Sequence, residues 1–154
     1  MKIIATAAVF LLSLNLWGVP YTVGSTIEPI ILEDPFGVKH NLITMPELFI
    51  LAFEKETSAV VNECLSKQEN TYLSSHKAKY IADISQMPTF VADAFALPKM
   101  RKYPYPMLLI RDEEVGLKFP AQEQKITLIR LRGNIIQKIE YVSTAKELQT
   151  AIEQ

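Results

Sequence analysis

The stretch Glu47-Leu48-Phe49-Ile50-Leu51-Ala52-Phe53, followed by Glu54-Lys55-Glu56-Thr57-Ser58 and then Ala59-Val60-Val61-Asn62-Glu63-Cys64-Leu65, decides how this chain folds. The apolar run from Leu48 to Phe53 has the length and composition of a strand covered on both faces, which belongs in the middle of a sheet. Thr57-Ser58 then offers a hydroxyl N-cap. Ala59, Val60, Cys64 and Leu65 recur at helical spacing, so a helix is expected to run through about Glu69.

Downstream the alternation repeats. Residues 79–84 read as a second strand, and a helix follows over 88–97, with Pro88 in its first turn and Phe90, Val91, Ala94 and Phe95 on its apolar side. Pro98 is expected to bend or break it. Residues 106–110 and 115–119 read as short strands around the acidic turn Asp112-Glu113-Glu114. Residues 126–131 and 135–141 flank Arg132-Gly133-Asn134 and read as an antiparallel hairpin. Thr144 with Glu147 three residues later forms a capping-box pattern, and Ala145, Leu148, Ala151 and Ile152 make one stripe of a closing helix. Upstream, residues 27–33 and 38–42 flank Asp34-Pro35-Phe36-Gly37, which suits a type I turn. The order predicts an α/β three-layer sandwich: a mixed sheet with parallel crossovers, an N-terminal hairpin and a C-terminal antiparallel hairpin plus helix.

At 154 residues the chain suits one domain once its start is set aside. Lys2 precedes an apolar run over 3–12 broken only by Thr6, and Gly18 stands before Val19-Pro20. Residues 1–18 therefore read as a secretory signal peptide, leaving 19–154 as the mature domain in the periplasm. Leu16 fits the small-x-small cleavage pattern poorly, so an uncleaved membrane anchor is the alternative. The run is shorter than the roughly 20 apolar residues that span a bilayer, and no stable membrane span is expected after cleavage.

Composition narrows function by exclusion. With 16 basic and 17 acidic residues the formal net charge is −1, which gives no reason to expect nucleic acid as a partner. The local cluster Lys99, Arg101, Lys102 reads as a solvated helix face. The two histidines, His40 and His76, are far apart with no cysteine near either, so no metal site is expected. The five glycines form neither a phosphate loop nor a dinucleotide fingerprint, and there is no Gly-x-Ser-x-Gly elbow. No cofactor is expected; a flavin would betray itself by colour.

Three segments resemble the thioredoxin superfamily, in particular the periplasmic thioredoxin and peroxiredoxin branch. Tyr21 through Leu42, with Val23-Gly24 ahead of a strand and Asp34-Pro35-Phe36-Gly37 as its turn, is similar to the opening hairpin. Pro106-Met107-Leu108-Leu109-Ile110-Arg111-Asp112-Glu113-Glu114-Val115 is similar to the segment that branch inserts before its final hairpin. Leu128-Ile129-Arg130-Leu131-Arg132-Gly133-Asn134-Ile135 is similar to the closing hairpin. Thr57-Ser58-Ala59 after the first central strand further resembles the YtfJ-type bacterial proteins.

The resemblance implies a redox site that this chain lacks. The reactive cysteines of the superfamily follow the first central strand, where a helix N-terminus stabilises a thiolate. Here Thr57 stands where the first belongs and Val60 where the second does. The family's cis-proline corresponds to about Gln124 or Lys125, with Pro120 nearby. A threonine hydroxyl ionises far too weakly to replace a thiolate. Glu54, Lys55, Glu56, Thr57, Ser58 and Gln124 are therefore the candidate binding groove of a non-catalytic envelope protein whose partner is another envelope protein. The alternative is an enzyme of unrecognised chemistry, with the single cysteine, Cys64, as candidate thiol. On its helical stripe Cys64 reads as a small buried side chain. Tyr103-Pro104-Tyr105-Pro106 reads as a rigid entry into a strand, with a recognition surface as the other possibility.

Overall fold

The computed structural model describes residues 18–42 and 44–154. The signal-peptide reading of 1–18 falls, Gly18 apart, outside the described residues. Seven strands form one mixed sheet in the order β2-β1-β5-β4-β3-β6-β7. They are β1 (Ile30–Glu33), β2 (Lys39–Leu42), β3 (Leu48–Ala52), β4 (Ala78–Asp83), β5 (Leu108–Ile110), β6 (Ile126–Arg132) and β7 (Ile135–Val142). β3 is buried along its whole length, between parallel β4 and antiparallel β6, which is why its sequence is unbroken in hydrophobicity. β4 and β5 are parallel as well.

The opening hairpin forms as its turn residues require. Asp34 accepts the amides of Phe36 (2.9 Å) and Val38 (3.1 Å) through its carboxylate, and Gly37 takes φ +81°, a conformation costly for residues with a Cβ. The closing hairpin pairs β6 with β7, and Gly133 takes φ +61° in its turn.

The two sheet faces are covered unequally. One carries α1 (Lys55–Leu65), α2 (Tyr72–Ser75), the helical segment 89–100 and α6 (Ala145–Ile152), packed on Ile50, Tyr80, Ala82, Leu109 and Leu128. The other is covered by the extended chain around Tyr21 and Ile27, by α5 (Glu113–Gly116) and by Phe119, whose ring meets Phe49 and Tyr21 edge-on. Thr144 and Glu147 cap α6 reciprocally: the Glu147 amide donates to Thr144 Oγ1 at 3.2 Å, and the Thr144 amide to Glu147 Oε2 at 3.2 Å. Arg130 pins the other end of α6, donating to the Ala151 carbonyl while its Nε meets Glu140.

Four local expectations are corrected. Residues 115–119 are not a strand: Asp112 caps α5 by accepting the Glu114 amide at 2.9 Å, and Glu113 and Glu114 suit the positive end of a helix. α1 begins before Thr57, with Glu54 as its N-cap, and it ends at Leu65. Its buried stripe is Thr57, Val61, Cys64 and Leu65, while Ala59 is exposed. The short α2 was not foreseen.

The fourth concerns residues 89–100, built of α3 (Thr89–Val91), a π-helical turn (Ala92–Ala96) and α4 (Leu97–Met100). The chain stays helical through Pro98. In the wide turn the Leu97 amide bonds back to the Ala92 carbonyl, five residues away, which takes up the proline that an ordinary helix interior would not accept. The extra residue per turn also rotates the apolar face. Ala92 and Leu97 are buried, whereas Phe90 and Phe95, expected inward, are 72% and 71% exposed.

Candidate functional site

Register brings the candidate groove together. Leu51 of β3 lies opposite Thr127 of β6 in antiparallel pairing, so Glu54, three residues beyond Leu51, meets Gln124, three residues before Thr127. The contact is specific: the Gln124 amide donates to both Glu54 carboxylate oxygens, at 3.2 and 3.1 Å. Gln124 holds φ +56°, a left-handed conformation, and no peptide bond among the described residues is cis. Pro120 is occupied differently, its carbonyl accepting the buried Thr127 hydroxyl at 2.9 Å.

Thr57 is spent on the same structure. Its hydroxyl accepts the Glu54 amide at 3.2 Å and donates to the Glu54 carbonyl at 3.0 Å, and the side chain is buried. Both hydrogen-bonding directions of the hydroxyl are thereby used. Ser58 is half-buried near Tyr80 of β4: burial pushes the Tyr80 phenol up to about 12, and the Ser58 side chain opposes that rise. Lys55 and Glu56 are exposed on the first turn of α1. The site therefore offers a carboxylate, an ammonium group and hydroxyls already committed to structure. No sulfur stands at the helix start.

Cys64 lies near the opposite end of α1, 4% exposed, among Val61, Leu65 and the apolar side of α6. Burial pushes its thiol up, and Glu153 adds to the rise against a smaller opposing effect of Lys67. Both act against thiolate formation. Tyr105 is likewise buried, donating to Asn62 Oδ1 at 2.8 Å and stacking on half-buried Tyr103 at 5.2 Å between ring centres, so Tyr105 is part of the packing between α1 and the sheet, while Pro104 and Pro106 are exposed. Of the basic cluster, Arg101 is not simply solvated: its Nε donates to the Pro35 carbonyl at 2.8 Å. Among the described residues no three His, Cys, Asp or Glu side chains gather as a metal site.

Sequence reasoning missed two features at this end of the sheet. One is the Glu54 to Gln124 bond, which no short-range pattern announces. The other is the close seat of Gly116 on Asp83: a Cβ on Gly116 would lie 2.2 Å from Asp83 Oδ2, and the Asp83 carboxylate also accepts the Ser85 amide at 2.8 Å. This contact ties α5 to the C-terminal end of β4, beside the candidate groove.

No protein-family model matches the sequence, and no curated protein does either. Solved structures do match. The thio-disulfide isomerase from Thermus thermophilus is 17% identical, with a TM-score of 0.53 over 86% of this chain and 96% of that one. The peroxidoxin BcpB from Mycobacterium tuberculosis is 15% identical, with a TM-score of 0.55 over 85% and 94%. A SCO1/SenC family lipoprotein from Bacillus anthracis is 9% identical, with a TM-score of 0.52 over 83% and 93%. With the mixed seven-stranded sheet, the opening hairpin and the closing hairpin plus helix, these likenesses establish that the chain has the thioredoxin-like fold, carrying a single cysteine.

Proposed function

We propose that this is an exported, non-catalytic thioredoxin-fold protein of the bacterial envelope, which holds another envelope polypeptide at the Glu54 to Ser58 and Gln124 end of its sheet. The observation that carries the reading is the Glu54 carboxylate hydrogen-bonded to the Gln124 amide where disulfide exchange would need an ionisable sulfur. Export rests on the charged, then apolar, opening of the sequence, and the likeness to a lipoprotein of the same fold agrees with it. No helix among the described residues is long and apolar enough to cross a membrane. The YtfJ-type resemblance belongs to the same reading.

Exposed aromatic surface at this end favours binding. The helical segment that leaves the C-terminal end of β4 carries Phe90 and Phe95 outward, and aromatic side chains are enriched at the contact surfaces of proteins. Single-thiol chemistry at Cys64 is the alternative; its burial and raised pKa speak against it.

Site-specific photocrosslinking tests the proposal. A benzophenone side chain at Lys55 should capture one defined envelope polypeptide, and Ser58→Trp should abolish capture. A probe at Lys67, just beyond the C-terminal end of α1, should capture none. Equal capture from both positions, or none from either, contradicts the reading.

A further inference from the structure

We propose that a second site, at the opposite end of the sheet, binds a small apolar carboxylate such as a single-ring aromatic acid or a medium-chain fatty acid. The site is a cleft of about 410 Å³ beneath the N-terminal ends of β3, β4 and β5, walled by Met45, Leu73, Tyr103, Tyr105 and Met107 and by the Asp34 to Phe36 turn of the opening hairpin. Its volume lies in the range of small-molecule pockets, roughly 300–1,000 Å³. It does not depend on the proposed function above, which uses the other end of the same strands.

The walls are held in place before any ligand arrives. Arg101 fastens the Pro35 carbonyl to the end of α4. Tyr103 stacks on Tyr105 with an interplanar angle of 18°, Tyr105 lies 6.1 Å from Tyr80 between ring centres, and the Tyr105 hydroxyl is anchored on Asn62. A preformed cleft spares the ligand the cost of ordering its own site.

The polar groups at the rim select the ligand's charge. The one carboxylate there, Asp34, is engaged by His40 Nε2 at 2.8 Å. Two lysines, Lys77 and Lys79, line the same opening; Lys77 reaches Glu47 at 2.6 Å, and Lys79, exposed, has no ion pair among the described residues. Lys77 is matched by Glu47 and Asp34 is held by His40, which leaves Lys79 as the cation at the mouth without a partner among the described residues, while the floor is apolar and aromatic. A molecule with an apolar body and one carboxylate matches both. A neutral molecule would leave Lys79 unused, and a cation would meet its ammonium group while both nearby carboxylates are already engaged.

The test is titration of the purified protein with 4-phenylbutyrate and with decanoate, followed by backbone amide shifts and calorimetry, alongside the alcohols 4-phenylbutanol and decanol. Saturable shifts should appear at Leu73, Ala78, Tyr103 and Met107 and not at Lys55 or Gln124. Lys79→Glu should weaken the acids about tenfold, and the alcohols little, since reversing a rim charge is worth about one decade. Ser74→Trp, placed at the rim with its native amide dispersion checked, should block both acids. The proposal fails if neither acid saturates below millimolar concentration, if the shifts map elsewhere, or if Lys79→Glu weakens acid and alcohol alike.

Discussion

Glu54→Ala removes the acceptor that joins the start of α1 to the segment leading into β6. Hydrogen bonds to charged groups are worth about 1.5–3 kcal/mol where well formed. Here the donor is shared between two oxygens at 3.1–3.2 Å, and Gln124 is exposed, which places the loss at about 1 kcal/mol. The lost cap adds only tenths, because glutamate is not a favoured N-cap residue. Gln124 holds its left-handed φ of +56° against an intrinsic cost of about 1–2 kcal/mol, so releasing it lets that residue relax. The urea midpoint should fall by the equivalent of about 1 kcal/mol, and amide exchange at Gln124 should speed about fivefold while that of buried β3 changes no more than the global loss requires. Glu54→Gln keeps an acceptor and should lose less, and Gln124→Gly should recover part of the loss in the Glu54→Ala background. Unchanged stability together with unchanged Gln124 exchange would refute the role assigned to this bond.

Gly116→Ala should cost about 1–3 kcal/mol through the 2.2 Å approach to Asp83 Oδ2, and Asp83→Ala in the same chain should remove most of that penalty in a double-mutant cycle; additive losses would count against the clash. Cys64 should react with a thiol reagent only as fast as the protein opens, remaining slow through about pH 9 and becoming fast in denaturant, because burial raises its pKa; rapid labelling of the folded protein would contradict its placement. Glu140 is held below the ordinary carboxylate range by Lys138 and then Arg130, and Glu147 by the Ser143 and Thr144 amides. A lowered carboxyl pKa stabilises the fold above the unfolded-state value and ceases to as the pH falls through the folded-state value. Urea midpoints should therefore hold from neutrality to about pH 5 and decline from about pH 5 to 3, and Glu140→Gln should flatten that decline.

The sequence was legible where one pattern had one physical cause. The unbroken run from Leu48 to Phe53 could serve only a strand buried on both sides, and it became β3. Thr144 with Glu147, and Asp34 with Gly37, each announced a local hydrogen-bonding solution that the chain adopts. Misreadings arose where two causes compete. Val115 to Phe119 has the look of a short strand, yet Asp112 satisfies the amides of a helical turn first. The 3.6-residue period put Phe90 and Phe95 inward until the π-helical turn shifted the face.

The candidate site was legible by position, since Thr57 and Gln124 come to the same end of the sheet by counting from the flanking strands. Its chemistry was not. The role of Glu54 depends on a contact across 70 residues, and local spacing carries no trace of it; Thr57 is spent on the Glu54 backbone beside it. The cleft under β3, β4 and β5 was invisible for the same reason, being assembled from three stretches far apart in sequence.

Reduction of insulin disulfides and consumption of hydroperoxide by the purified protein, each with a dithiol as electron source, test the missing sulfur chemistry most directly. Rates indistinguishable from buffer, and the same for Cys64→Ala, are expected. Sustained turnover in either assay that disappears in Cys64→Ala would contradict the account.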